Sequence, residues 1–171
     1  MQTFKYSRPR VLLHWCFAGI ILWTTISGFG LSLVQLPEAA VNAIHFFNVS
    51  ITAVAVPLFV VRLLYLLIHP APATPGHVGR LNHMLITAGH FSLYACTALV
   101  LITGVLMMDR PIDIFGLLLI PQPIQQPAVT AFFNAVHSDS CLLLALLVAG
   151  HIAAVLSHSL RGHSVLKRMS I

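Results

Sequence analysis

Charge is what this sequence has least of. Only 8% of its 171 residues are charged, and just four of those are acids. A soluble domain typically carries about a quarter charged residues, so a water-covered globule is excluded as the body of the chain. The three cysteines, Cys16, Cys96 and Cys141, form no CxxC pair and fall in separate apolar stretches; they read as small buried hydrophobes. No internal repeat or low-complexity tract is evident. Nor does any basic stripe alternate with exposed aromatics, so neither the net charge of +5 nor the pI near 9.6 argues for nucleic-acid binding.

What the chain has in place of charge is hydrocarbon. It is 58% hydrophobic, with a mean hydropathy of +0.91. Four apolar stretches, roughly 11–34, 41–68, 81–108 and 130–160, each reach the length of about 20 residues that crosses a bilayer core. Helix is the default in lipid, where unpaired backbone groups are costly, and no strand-length alternation is visible. The expectation is an all-α membrane protein: one domain over 1–171, a four-transmembrane-helix bundle with a lipid bilayer as its first partner. The connections are 35–40, the proline-rich "HPAPATPGHVGR" at 69–80, and 109–129, where "IPQPIQQP" favours extended chain. The first stretch is too long for a cleaved signal peptide and lacks a small-residue cleavage pattern. The tripeptide "NVS" at Asn48 matches a glycosylation pattern but lies within the second span, so it is discounted.

Lys5, Arg8, Arg10, Arg62, Arg80, Arg161, Lys167 and Arg168 precede, follow or flank the spans on one side; Arg110 stands alone on the other. The positive-inside rule therefore puts both termini in the cytoplasm.

Ten histidines against four acids is a lopsided ratio. His69, His77 and His163 read as solvated linker or tail residues, and His83 and His158 lie near cytoplasmic span ends. His14, His45, His90, His137 and His151 fall within spans, where ionisable side chains are functional candidates. Fourteen helical residues advance about 21 Å and turn about 1400°, some 40° short of four turns. His137 and His151 thus share one face near opposite membrane surfaces, and His158 continues the seam. Two stacked sites follow. His45 matches His137 in depth on the outer side. His90 and His14 compete for His151 on the inner side, with depth slightly favouring His90. Two imidazoles do not fill a structural zinc site, but they do fill the two axial positions of haem iron. Phe46, Phe47, Phe132 and Phe133 could wall a porphyrin or simply pack the core. Gly28, Gly30, Gly89, Gly104 and Gly150 read chiefly as sites of close helix packing.

The segments "KYSRPRVLLHW", "IHFFNVSITAVAVPLFVVRLLY", "GHFSLYACTALVLITGVLMM" and "VHSDSCLLLALLVAGHIAAVLSHS" resemble the four helices of the bacterial cytochrome b561 family. The most specific parts are the His-Trp of the first, the His-to-Arg spacing of the second, "GVLMM" and the fourteen-residue interval. The resemblance implies an inner-membrane cytochrome with two haem b groups, passing electrons to ubiquinone from a periplasmic donor. In some members that donor is superoxide, which makes them superoxide:ubiquinone oxidoreductases. It implies His45 and His137 as ligands of the periplasmic haem iron and His14 and His151 as ligands of the cytoplasmic one. His158, His90 and Trp15 become quinone-site candidates. The outer loops, with Glu38 in one and Arg110 against Asp109 and Asp113 in the other, carry no positive surplus to steer an anion. Two rivals are a haem b anchor subunit of a dehydrogenase or hydrogenase complex, and a haem-free, histidine-lined metal or proton transporter. A homodimer through the glycine-bearing faces is compatible with all three.

Overall fold

The structure, a computed structural model, describes residues 6–69 and 79–161. His77, His163, Lys5, Lys167 and Arg168 lie outside these residues. Four helices are long and apolar enough to cross a membrane: α1 (Arg8–Leu33), α2 (Glu38–Ile68), α3 (Arg80–Leu106) and α4 (Pro127–Leu160). No boundary departs from its expected position by more than three residues. Proline opens both α1 and α4, where its missing N–H would have had no helical partner. Glu38 sits in the first turn of α2, favourably against the helix dipole. Pro57 lies inside α2 without ending it.

Successive helices run antiparallel. α1 and α2 meet around Phe17, Ala55 and Phe59, with Ala55 fully buried. Nearer one end Asn48 bridges the pair: Trp23 Nε1–H donates to its carbonyl at 2.9 Å, and its amide donates to Ser27 Oγ at 2.9 Å. The "NVS" asparagine is thus an interhelical bridge. α3 joins α2 through Phe59, Tyr94 and Arg62. α4 lies along α3, where the Cys96 thiol donates to the Ser140 carbonyl at 3.4 Å, and makes only sparse contact with α1 and α2. Among the described residues every buried side-chain nitrogen and oxygen has a partner, as an apolar surround requires.

The connection from α3 to α4 adds an element that the sequence reading did not name. It contains a small antiparallel hairpin, β1 (Ile112–Ile114) and β2 (Leu118–Ile120), pairing Ile112 with Ile120. Phe115 and Gly116 form the turn with φ of 54° and 70°, and Leu117 N–H donates to the Ile114 carbonyl at 2.9 Å. Two positive φ values suit the twist of a tight hairpin, and the glycine takes its value without strain. Ser50, fully buried on α2, seats the hairpin by donating to the Asp113 carbonyl and accepting from Phe115 N–H, both at 3.0 Å. Phe115 lies edge-on to Phe46 and Phe47. This is the hairpin end of the bundle; the opposite end, with Arg8, Arg80 and Arg161 at helix termini, is the arginine end.

Two further expectations change. Cys16 is exposed rather than buried, whereas Cys96 is buried and Cys141 intermediate. A Cβ added at Gly28, Gly30, Gly89 or Gly150 would meet nothing within 4 Å, so these glycines do not serve close helix packing within the described chain.

Replacing Ser50 by Ala should loosen the hairpin specifically. A buried donor left without its partner costs about 1–3 kcal/mol, so amide exchange at Phe115 should accelerate about tenfold or more in detergent. Exchange in the middle of α2 should stay at the wild-type rate.

Candidate functional site

α4 is a single unbroken helix. The fourteen residues from His137 to His151 therefore span about 21 Å on nearly one face. Each ring meets a different neighbourhood.

His137 is pressed against α3. Its Nδ1 lies 3.1 Å from the Val100 carbonyl and 3.2 Å from Thr103 Oγ, whose own hydroxyl is donated to the Leu99 carbonyl. A carbonyl only accepts, so Nδ1 carries the proton and Nε2 keeps its lone pair. Nε2 lies 3.4 Å from Cys141 Sγ, one turn along. Gly104 makes the close approach possible, since a Cβ there would come within 3.1 Å of His137 Cε1. His45 is exposed on α2, three residues before the bridging Asn48. The structure shows no ring contact or hydrogen bond between His45 and His137 among the described residues. Phe46 and Phe47 contact Phe115 of the hairpin, and Phe132 and Phe133 contact each other. Phe46, Phe47 and Phe132 remain exposed, so they do not pack a core.

Toward the arginine end, side chains from all four helices converge. His90 of α3 and His151 of α4 lie edge to face, their ring centroids 5.7 Å apart. His90 Nδ1 lies 2.8 Å from the Ile86 carbonyl of its own helix, an acceptor, so Nδ1–H is the donor and Nε2 keeps its lone pair. His14 of α1 lies within electrostatic reach of both rings. Both competitors for His151 are thus brought to it, His90 in direct contact. Trp15 lies edge-on to His14 at 5.5 Å and lines an open apolar groove with Gly19, Trp23 and Phe47. His158 is exposed in the last turn of α4. His69 stacks on Tyr65 at 4.3 Å, and His83 is exposed.

The remaining helix, α2, contributes a residue that the sequence reading counted only as a topology charge. Arg62 stands six residues inside α2, part-buried. Its Nε–H donates to Tyr94 OH at 3.0 Å and an Nη to the Leu13 carbonyl at 3.4 Å. The other Nη lies 3.5 Å from His14 Nδ1. That last distance is too long to fix a tautomer, yet it sets the guanidinium charge against the ring. Phe17 and Tyr94 present ring faces to the same cation at 5.2 and 5.0 Å. An arginine inside an otherwise apolar span was the available signal.

Among the described residues no three His, Cys, Asp or Glu side chains converge closely enough to hold a bare metal ion. The histidines offer single lone pairs from separate helices, which suits a cofactor that brings most of its own ligands.

Comparison with known proteins bears on the same point. No curated protein matches the chain. A family model described as prokaryotic cytochrome b561 matches residues 5–170, nearly the whole length. This chain belongs to the prokaryotic cytochrome b561 family, as a multi-pass bacterial membrane protein that binds haem b and carries electrons.

Proposed function

We propose that the chain holds two haem b groups and carries electrons from a periplasmic donor to ubiquinone at the cytoplasmic face of the inner membrane. One observation carries the reading: an unbroken α4 bears His137 and His151 on one face about four turns apart, with histidines of other helices available to each level. His45 partners His137 at the outer haem, and His14 partners His151 at the inner one. The hairpin end faces the periplasm, and the arginine end, with both termini, faces the cytoplasm. The whole chain acts as one domain.

The residues fit a haem, which these histidines would hold. An imidazole that gives its Nδ1 proton to a backbone carbonyl keeps its Nε2 lone pair for a ligand role; His137 has this arrangement through Val100, with the Cys141 thiol donating to Nε2 in the structure. Haem supplies one-electron chemistry when bound. The remaining work belongs to the chain. Gly104 and Thr103 position the His137 ring. His158, on the seam of α4, donates a hydrogen bond to the ubiquinone headgroup and returns protons to it from the cytoplasm. Trp15 and His90 border the same region. Superoxide is one candidate donor, working against outer loops with no positive surplus.

A specific observation favours a variant of this reading, with His90 in place of His14. His90 touches the His151 ring and has its Nδ1 committed to Ile86.

Substitution decides among these assignments. His45→Ala and His137→Ala should each lose about one haem per chain, read by pyridine haemochrome, while the inner haem keeps its low-spin spectrum. Retention of two low-spin haems in both proteins would overturn the outer pair. Gly104→Val should mimic His137→Ala in part by driving the ring from its seat. At the inner level His14→Ala should lose a haem and His90→Ala should keep both; the reverse result installs His90.

Quinone reduction gives a separate test. His158→Ala should keep both haems and accept electrons normally from a chemical reductant. It should then reduce a soluble ubiquinone analogue about tenfold more slowly, equivalent to about 1.4 kcal/mol of transition-state stabilisation. An unchanged rate would remove His158 from the quinone site.

A further inference from the structure

The arginine end of the bundle holds Arg8, Arg10, Arg62, Arg80 and Arg161, and no side-chain carboxylate. The four acids of the chain are Glu38, Asp109, Asp113 and Asp139. Glu38 opens α2 at the hairpin end, and Asp109 and Asp113 belong to the α3–α4 connection. Asp139 follows His137 by two residues. Among the described residues, positive charge at the arginine end therefore has no side-chain carboxylate beside it.

Of these arginines Arg62 alone reaches into the helix cross-section. Arg8, Arg80 and Arg161 are exposed at helix termini. Arg10 donates to the His69 carbonyl and lies over the Tyr6 ring. Solvent and salt screen charges at such exposed positions, whereas a charge among apolar helices is screened far less. Among the described residues every partner of Arg62 is uncharged or an imidazole: Tyr94 OH, the Leu13 carbonyl, His14 Nδ1 and two aromatic faces. Desolvating a guanidinium without a carboxylate is expensive, so this arrangement needs a compensating role.

We infer that Arg62 is an electrostatic positioning residue that raises the reduction potential of the inner haem and so directs electrons from the outer level to the inner. Reducing a haem held there would take its iron from Fe(III) to Fe(II) with one electron supplied by the outer haem. The charge there falls by one, and a fixed neighbouring cation favours that change. The second grip, on the Leu13 carbonyl, holds the α1 turn that carries His14 in place. Charge is what matters, because Tyr94 and the carbonyl alone would brace the helices equally well in either redox state. This inference rests on the two-haem reading and holds whether His14 or His90 is the partner of His151.

The test is an optically monitored redox titration of the purified full-length protein. Arg62→Gln keeps a donor for Tyr94 but removes the charge. One of its two haems should show an Fe(III)/Fe(II) ratio raised about tenfold at a given poise, which is 59 mV lower for one electron. The same shift should persist when His137→Ala has removed the outer haem. Arg62→Lys, with the charge retained, and Tyr94→Phe, with the hydrogen bond lost, should each move the ratio less than threefold. If Arg62→Gln fails to load both haems, Leu66→Glu carries the test. It sets a counter-charge one turn from Arg62 on α2, and it should lower the same potential. Unmoved potentials in a doubly loaded Arg62→Gln or Leu66→Glu protein would overturn the inference, as would an equal shift in Tyr94→Phe. A wild-type protein without haem bands would instead defeat the two-haem reading itself.

Discussion

An imidazole on an apolar helix needs an answer for each of its nitrogens, and α4 poses that demand twice on one rigid rod. Because the helix is unbroken from Pro127 to Leu160, the interval between His137 and His151 cannot adjust. The other helices must bring their partners to fixed heights. α3 answers first, packing along α4 with Val100, Thr103 and Gly104 around His137 and with His90 against His151. α1 and α2 form a second pair, locked by Phe17, Ala55, Phe59 and the Asn48 bridge. They present His14 and His45 while barely touching α4. Hydrogen bonds between membrane helices are individually modest, averaging about 0.6 kcal/mol. Their contribution here is to hold register.

Charge is distributed with the same economy. The carboxylates lie toward the hairpin end, and the part-buried guanidinium lies toward the other. In a low-dielectric bundle such an asymmetry acts over the whole length between the two histidine levels. Electron carriers at those levels would feel it as a standing bias. On the proposed reading topology and redox direction would share one cause, since the arginines that would orient the chain in the membrane also lie toward the level where electrons would leave.

Much of this was legible in the sequence, and the reasons differ by element. The four spans could be read because lipid leaves a helix of about 20 residues almost no competitor. The face shared by His137 and His151 followed from helical arithmetic alone. The hairpin could not be read the same way. Its strands are three residues long, too short for alternation to register, and its seat on Ser50 is a contact between distant segments. Arg62 already lay inside the expected span at 41–68 but was counted only as a topology charge; its grip on Leu13, Tyr94 and His14 joins segments far apart in sequence. The glycines misled in the other direction, since only Gly104 of the five meets a neighbour. The choice between His14 and His90 resists sequence arithmetic because axial spacing says nothing about which helices are lateral neighbours. The structure gathers both near His151.

The central claim is that the chain places four histidines as two axial pairs, one at each level of the bundle. The most direct measurement is haem stoichiometry with low-temperature EPR on the purified, oxidised protein. The account predicts two haem b per chain, both low-spin with bis-imidazole signals. One haem per chain, a high-spin centre with an open axial position, or a colourless protein carrying a bound metal ion would contradict it.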